Sequence, residues 1–234
     1  MQRAPMSRRE RPAKKALSRK AIVEAALAIL AEEGADALTM RRLAGALDTG
    51  AASLYVYVRN TEELHAAMLE ALLGSLDLTR GRAPWRERLV ELLVSYTSLL
   101  YGNPVLARTA LFTWPNGPNY QNLVEVLLGL LAEGDVESGE AAWGVDLLLQ
   151  RAAATAAEHA TRDESPDPDA EVAALGDVIR GASPASHPHI AAAAGALVDG
   201  GPGRHAWSFE VLINGLLSTP RPAARGPRDG KRAS

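Results

Sequence analysis

Histidines are the first side chains to consider for catalysis or metal binding, and the chain has five of them. His187 and His189 flank a proline in a predicted loop, and two histidines without a nearby third ligand are typical of a surface rather than a metal site. His159 follows Glu158 on a predicted helix, so the two side chains point in different directions and form no dyad. The remaining two stand alone in the sequence: His65 and His205. The histidine pattern therefore predicts neither a catalytic base nor a metal centre.

Two further segments have compositions that can bind ligands, but neither has the required spacing. The acidic run from Asp163 to Glu171 lacks the central glycine of a calcium loop, and its two prolines favour a solvated linker. Residues 200–203 read Gly-Gly-Pro-Gly but follow no predicted strand, so they do not predict a nucleotide cradle. The absence of cysteine excludes disulfides, thiolate metal sites and a cysteine nucleophile. We therefore expect a protein that is not an enzyme and uses no cofactor and no metal.

Charge is divided unevenly along the 234 residues. The net charge is −3, but residues 1–60 carry +5, residues 61–220 carry −12 and residues 221–234 carry +4. The first 20 residues hold eight basic side chains and one acid, a composition that attracts polyanions. The alternative interpretation of this segment is a solvated tail without a partner. We expect residues 1–17 to be a disordered basic arm and residues 218–234 to be a disordered basic tail.

Hydrophobic residues make up 47% of the chain, enough for the core of one large or two small domains. No segment has the ~18 to 20 uncharged apolar residues of a membrane-spanning helix, and the start lacks the apolar region of a signal peptide. We therefore expect a cytoplasmic protein. Apolar residues recur with helical spacing through most of the sequence, and no alternating strand pattern is evident. The fold class predicted is all-α.

The first four predicted helices are short, and their ends are marked by capping residues. Ser18 is a candidate N-cap for the first helix, which Gly34 ends, and Thr39 is a candidate N-cap for the second. The third is predicted over residues 51–57. Asn60, with Glu63 three residues later, is a capping signal for the fourth, which runs to about residue 76.

Two short helices joined by a tight turn and supported by a preceding helix form a helix-turn-helix, in which the second short helix enters the major groove of DNA. Residues 39–57 have this spacing. The arrangement needs a small residue where the helices cross, which is Ala44 or Gly45, and apolar residues that fix their angle. Ala44, Leu47 and Leu54 meet the second requirement. We expect residues 18–65 to form a DNA-binding domain, with the fourth helix as a connector to about residue 78.

Longer helices are predicted beyond Gly81, within a second domain over residues 84–217. Pro84 opens a long helix with a broad apolar face. The segment 120–131 is apolar on most sides, which predicts the centre of the core. A shorter predicted helix follows and ends at about residue 112. Further helices are predicted over residues 138–161, 170–181, 188–198 and 207–217.

The runs Leu38–Ala44 and Ser53–Leu64 resemble the N-terminal domain of the TetR (tetracycline-repressor) family of bacterial transcriptional regulators. They share a threonine opening the second helix, a Leu-Tyr pair in the third, and a basic residue, asparagine and acidic pair before the fourth. Trp85, residues 113–115, Tyr120 with Leu123, and residues 209–216 resemble the ligand-binding domain of the tetracycline-repressor branch. The resemblance covers most of residues 18–217.

This resemblance implies a ligand-responsive transcriptional regulator, and we predict a repressor that a small hydrophobic molecule releases from operator DNA. In the family, a four-helix bundle joins two copies into a homodimer, which here implies contacts through helices at about 138–161 and 207–217. The alternative is a dimeric helical scaffold, or a partner-binding protein, without specific DNA binding. A basic arm beside a helix-turn-helix argues against that alternative.

The resemblance also assigns candidate DNA contacts, position by position. Thr39 and Arg41 match residues that contact phosphates or the groove edge. Ala51, Ala52 and Ser53 match base-facing positions. Because alanine can contact only a thymine methyl and serine discriminates little, direct base reading is sparse. The remaining candidates match phosphate-binding positions: Tyr55, Tyr57 and Thr61.

The ligand pocket departs from that of the tetracycline repressor. Ala110 stands where the repressor has a metal-chelating histidine, and Leu92 stands where it has a polar residue, so a metal-chelated tetracycline is not expected. The alternative for any one pocket position is ordinary core packing. The residues expected to line the pocket are Tyr96, Ala110, Thr113, Trp114 and Val126.

Overall fold

The computed structural model describes residues 17–79, 81–113, 115–163, 166–198 and 203–222. Within these residues the chain forms eleven α-helices and no strand, which confirms the all-α fold class. The basic arm expected over residues 1–17 and the tail expected over residues 218–234 lie almost entirely outside the described residues. The chain divides into two compact units, Met1–Met68 and Leu69–Ser234.

The helices follow one another with short connections. Their bounds are α1 Arg19–Glu33, α2 Met40–Ala46, α3 Ala51–Leu54, α4 Thr61–Leu73, α5 Trp85–Tyr101, α6 Pro104–Phe112, α7 Pro118–Glu133, α8 Ser138–Asp163, α9 Pro168–Arg180, α10 Pro188–Val198 and α11 Gly203–Ser218.

The capping residues predicted for the first two helices are confirmed. The Ser18 hydroxyl accepts a hydrogen bond from the amide of Ala21 at 3.2 Å. The Thr39 hydroxyl accepts one from the amide of Arg42 at 3.1 Å. Gly34 follows α1 with a φ of +85°, a left-handed conformation that glycine adopts without steric cost. Local side-chain chemistry therefore sets where these helices begin and end.

Several predicted boundaries need correction. The third helix ends at Leu54 rather than at residue 57, because the amides of Tyr57 and Val58 both turn back to the carbonyl of Leu54. α4 ends at Leu73 rather than near residue 76, because the chain tightens after it into i→i+3 hydrogen bonds. α11 begins at residue 203 rather than at 207.

The acidic segment predicted as a linker is partly helical. Asp163 closes α8, and residues 168–171 form the first turn of α9. The Asp167 carboxylate accepts a hydrogen bond from the amide of Ala170 at 3.1 Å, and Pro168 occupies the first position of the helix. Aspartate at an N-cap and proline just after it both favour helix initiation. Asp167, Asp169 and Glu171 therefore lie at the start of α9 rather than in a linker.

The core of the first unit fixes the helix-turn-helix. Leu43 and Leu54 are fully buried on α2 and α3, and Ile22 is fully buried on α1. Ala44 is buried, whereas a Cβ at Gly45 would meet nothing within 4 Å, so Ala44 is the small residue at the crossing. Leu47 is only half-buried.

In the second unit α8 packs against α5, α6, α7 and α11. Leu148 and Ala152 of α8 are fully buried, as is Leu89 of α5. α7 buries one face, including Leu127, and exposes the other. The core of this unit is therefore centred on α8. The apolar composition of residues 120–131 had instead predicted α7 as the centre.

Candidate functional site

The turn after α3 presents two phenols to solvent. Leu54 and Val58 are fully buried, whereas 50% of Tyr55 and 38% of Tyr57 are exposed. The two buried residues hold the turn against the core, so the tyrosines between them project outward. Val56, between the phenols, is 78% exposed. This valine was not among the predicted site residues, although its position inside the tyrosine motif could have indicated it.

The structure brings all the predicted DNA-contacting residues into one unit, on or beside α2, α3 and the start of α4. Alanine and serine at 51 and 53 are half-buried on α3. The others are exposed: Thr39, Arg41, Ala52, Tyr55, Tyr57 and Thr61. None of them is packed into the core, and this surface therefore combines hydroxyl donors, a guanidinium and small side chains.

Arg42, the second basic residue of α2, is paired with an acid of α1. Its guanidinium donates to the two carboxylate oxygens of Glu33, at 2.9 Å from Nε and 2.5 Å from Nη2. This hydrogen bond to Arg42 lowers the pKa of Glu33 below its usual value. The pair joins the end of α1 to α2 in the two-point geometry that arginine favours. Arg41, like Arg42, is exposed near the start of the same helix.

Glu63 organises the start of α4. One carboxylate oxygen accepts from the backbone N–H of Arg59 at 2.8 Å, and the Glu63 amide donates to the Asn60 side chain at 2.8 Å. Asn60 therefore caps α4, and the Glu63 carboxylate binds the residue before the cap, which is a variant of the capping box. The other oxygen accepts from Arg19 of α1 at 3.3 Å. The bond from the Arg59 backbone is the main reason why the pKa of Glu63 is lowered.

Helix geometry leaves the amides before Glu63 at the start of α4 without an intrahelical acceptor, next to the exposed hydroxyl of Thr61. Amides at the start of a helix bind anions, because the helix dipole places partial positive charge there. Sequence reasoning identified Thr61, and it also predicted the cap that Asn60 forms with Glu63 three residues later.

A cavity of about 170 Å³ lies within the second unit. Three of the five predicted pocket residues line it together. Trp114 lies outside the described residues. Val126 lines a different cavity, of about 300 Å³, next to Leu92 and the segment after α4, because it lies on another face of α7. The residues around the smaller cavity are Leu69, Leu73, Tyr96, Ala110, Leu111, Thr113, Pro115, Tyr120, Asp146, Leu149 and Gln150.

The polar groups of the smaller cavity interact with one another. Burial raises the pKa of the Tyr96 phenol, and the nearby Tyr120 adds to the shift. The pKa of Tyr120 is also raised, mainly by burial and then by the negative charge of Asp146. Both phenols therefore stay protonated near neutral pH and act as hydroxyl donors and acceptors.

Glu70 fixes Tyr120 in this cavity. Its carboxylate oxygens accept from the amides of Asn119 and Tyr120, at 2.6 and 3.2 Å, at the start of α7. A Cβ at Gly117 would collide with the Glu70 carboxyl group, so the residue before α7 must lack a side chain for the two to approach. The N-terminal turn of α7 is thereby tied to the end of α4.

α8 and α11 together expose an apolar face. Trp143 and Leu147 of α8 are 57% and 41% exposed, and Trp207 and Val211 of α11 are 65% and 46% exposed. A groove between the two helices has a volume of about 890 Å³. The guanidinium of Arg221 lies 5.3 Å from the centre of the Trp143 ring. Exposed apolar surface of this kind is typical of protein interfaces.

The isolation predicted for His205 is wrong, because its ring lies beside those of Tyr101 and His159. The ring centroids of His159 and His205 are 6.0 Å apart, and that of His159 is 4.7 Å from that of Tyr101. The Tyr101 hydroxyl lies 3.3 Å from Nε2 of His205. The three residues come from α5, α8 and α11, which are distant in sequence. No group of three histidine, aspartate or glutamate side chains able to hold a metal occurs in the described part of the chain.

Comparison with known proteins identifies the family. The model of the bacterial regulatory proteins of the tetR family matches residues 22–68. The crystal structure of SCO7704 from Streptomyces coelicolor, classed as a transcription regulator, is 51% identical, with a TM-score of 0.76, over 91% of this chain and 100% of that one. The TetR family protein ActR of the same organism, solved in complex with actinorhodin, is 32% identical with a TM-score of 0.79. That match covers 90% of this chain and all of ActR.

The chain belongs to the TetR family.

TetR family members are transcriptional regulators rather than enzymes. The class A tetracycline repressor from transposon 1721 of Escherichia coli is 31% identical over 123 residues, which cover 51% of this chain and 56% of the repressor. The chain thus matches about half the length of the curated relatives. No helix in the described residues has the length and apolar character needed to cross a bilayer.

Proposed function

We propose that this TetR family member is a homodimeric repressor that binds a palindromic operator and is released by a small molecule. The observation that carries the proposal is the outward projection of Tyr55 and Tyr57 between the buried Leu54 and Val58. A turn held in this way presents hydroxyls to a duplex without disturbing the core. We assign residues 18–65 to DNA binding and residues 84–217 to effector binding and dimerisation, in a cytoplasmic protein.

Phosphate contacts supply most of the affinity in this proposal. Thr39 keeps its hydroxyl proton for a phosphate, because the oxygen accepts the cap hydrogen bond from α2. Arg41, the two tyrosines and Thr61 contribute further donors. Ala51, Ala52 and Ser53 face the bases and read few of them. Operator affinity should therefore fall steeply as salt increases.

Dimerisation through α8 and α11 explains the exposed apolar face of these helices. Two indoles and several aliphatic side chains there lack cover within one chain, and a second copy would bury them. A two-fold dimer would set two α3 helices about one DNA turn apart, to match the two halves of an operator.

The effector cavity in this proposal is the one lined by Tyr96, Ala110 and Thr113. ActR, with which the chain shares 32% identity, has been solved with actinorhodin bound, which supports a small-molecule effector here. Glu70 lies on α4, the helix that Thr61 begins, and its carboxylate holds the start of α7 beside the cavity. A ligand that moves Tyr120 would act on this contact, and a difference of a few kcal/mol between two states suffices for release.

The test is a titration of the dimer with a labelled duplex that carries the DNA upstream of its own gene. We expect sub-micromolar binding that resists nonspecific competitor and weakens with salt, and release by at least one compound in a small-molecule screen. A dimer that binds this duplex no better than random DNA would instead support the scaffold. A salt slope near zero would contradict the phosphate-dominated interface.

A further inference from the structure

The smaller cavity of the second unit has an unbalanced set of polar groups. Asp146 is the acidic residue of the described lining, and none of the described lining residues is basic. The remaining polar groups are the hydroxyls of Tyr96, Thr113 and Tyr120 and the amide of Gln150. A ligand in this cavity therefore meets a carboxylate without a compensating cation.

The negative charge of Asp146 reaches into the cavity. It contributes to the raised pKa of Tyr120, and Tyr120 in turn affects the phenol of Tyr96. A carboxylate accepts hydrogen bonds without donating, and a phenol oxygen can accept as well as donate. The polar groups of the lining therefore offer several acceptors to a ligand.

Leucine side chains supply the apolar part of the cavity lining. Leu69, Leu73, Leu111 and Leu149 contribute apolar surface to a space of about 170 Å³. This volume suits a compact ring system rather than a long chain or a large glycoside. A ring would contact the leucines while a polar substituent faces Asp146.

We infer that the effector is a compact aromatic molecule with a hydrogen-bond-donating head, a hydroxyl or an ammonium group, directed at Asp146, and that carboxylate-bearing molecules are rejected. A carboxylate in this position would lose hydration and gain no cation. An ammonium or hydroxyl group donates to Asp146 and to the phenol oxygens. This inference rests on the proposed function, because it names the ligand class of the same cavity.

Three probes with the same ring test the inference on the full-length dimer: naphthalen-1-ylmethylamine, naphthalen-1-ylmethanol and 1-naphthoate. Calorimetry should give the amine a preference of roughly tenfold or more over the acid, the effect of one hydrogen bond to a charged group. Asp146→Asn should reduce the affinity for the amine and remove most of this preference. Glu125→Gln, an exposed carboxylate on α7 that does not line the cavity, is the matched control and should change neither.

The outcomes separate this inference from the proposed function. Equal affinity for the amine and the acid, or a preference that Asp146→Asn leaves unchanged, would overturn the ligand class even if the operator is released. Selective binding of the amine without operator release would keep the ligand class but contradict gating. If none of the probes binds, the ligand class is wrong, whereas the proposed function is still decided by the operator titration and the compound screen.

Discussion

Single side chains have distinct roles on the proposed DNA-binding surface. Arg41 and Arg42 are adjacent and both exposed on α2, and the Arg42 guanidinium is hydrogen-bonded to Glu33. Leu54 and Tyr55 are likewise neighbours with opposite environments. Each exposed residue depends on a buried or paired neighbour to hold it in place. Mutations here should therefore separate into those that affect binding and those that affect folding.

Replacing Tyr55 or Tyr57 with phenylalanine should weaken DNA binding and leave stability nearly unchanged. Each change removes a hydroxyl from an exposed ring, and a lost hydrogen bond to a phosphate costs roughly 1.5 to 3 kcal/mol, or at least about tenfold in affinity. Fluorescence anisotropy with operator and random duplexes measures the effect. Because phosphates carry no sequence information, the loss should be similar on both duplexes. Retained affinity in the double variant would argue against this surface.

Helix ends and helix contacts determine how the elements are held. Thr39 starts α2, the capping box of Asn60 and Glu63 starts α4, and Glu70 fixes the start of α7. At the other end of the second unit, Tyr101, His159 and His205 join three helices. These contacts are few and polar, so single substitutions should test them.

Thr39→Ala should destabilise the first unit by about 1 kcal/mol, because α2 loses its N-cap hydrogen bond. Thr39→Ser keeps the hydroxyl and should retain most of the stability. Urea denaturation measures both variants against the wild type. If the alanine variant were as stable as the serine variant, the cap would contribute nothing to folding.

The histidine contact predicts that stability falls in mild acid. The pKa of His205 lies below the ordinary histidine value of 6.5, chiefly because of burial, with Arg151, Arg204 and His159 adding to the effect and Glu158 opposing it. The folded state therefore binds a proton less readily than the unfolded state. The stabilisation is complete above about pH 6.5 and is lost as the pH falls below this value.

Melting temperatures from pH 8 to pH 5 test this prediction, with His205→Gln as the comparison. The wild type should lose more stability than the variant, since glutamine does not titrate. Parallel curves for the two proteins would show that another group controls the acid response.

At the scale of the whole molecule, the proposed repressor needs two copies. The apolar residues exposed on α8 and α11 are concentrated on two helices that pack against each other. Charging this face should prevent association, because a buried carboxylate without a partner is costly. DNA binding should fall with it, since a single copy contacts only half of an operator.

Leu147→Glu and Val211→Glu should each convert the dimer to a monomer and reduce operator affinity. Light scattering after size-exclusion chromatography measures the mass. Phe112→Glu is the control, because Phe112 is 88% exposed on α6 and outside this face. Dimers that persist in both α8 and α11 variants would place the interface elsewhere.

Much of this molecule could be predicted from local sequence. Ser18, Thr39 and Asn60 each cap a helix by accepting a hydrogen bond from an amide three residues later. Contacts this local are visible in the sequence, so the starts of these helices and the family motif that contains two of them could be predicted. The contact between His159 and His205 joins residues 46 positions apart in the sequence, and no local pattern indicates it. Val126 lines a different cavity from Tyr96, Ala110 and Thr113, and the sequence could not show this because helical spacing gives the faces of α7 but not which cavity each face lines.

Asp146 lines both the small cavity and the groove between α8 and α11. In the proposed dimer, ligand binding in the cavity and association of the two copies would therefore both involve the Asp146 carboxylate. Where the two are linked, ligand binding changes the free energy of association by the same amount as association changes the free energy of ligand binding. Apparent ligand affinity should then vary with protein concentration near the monomer–dimer midpoint, as in other mass-action equilibria. Titrations at dilute and concentrated protein that gave identical constants would show that the two processes are thermodynamically independent.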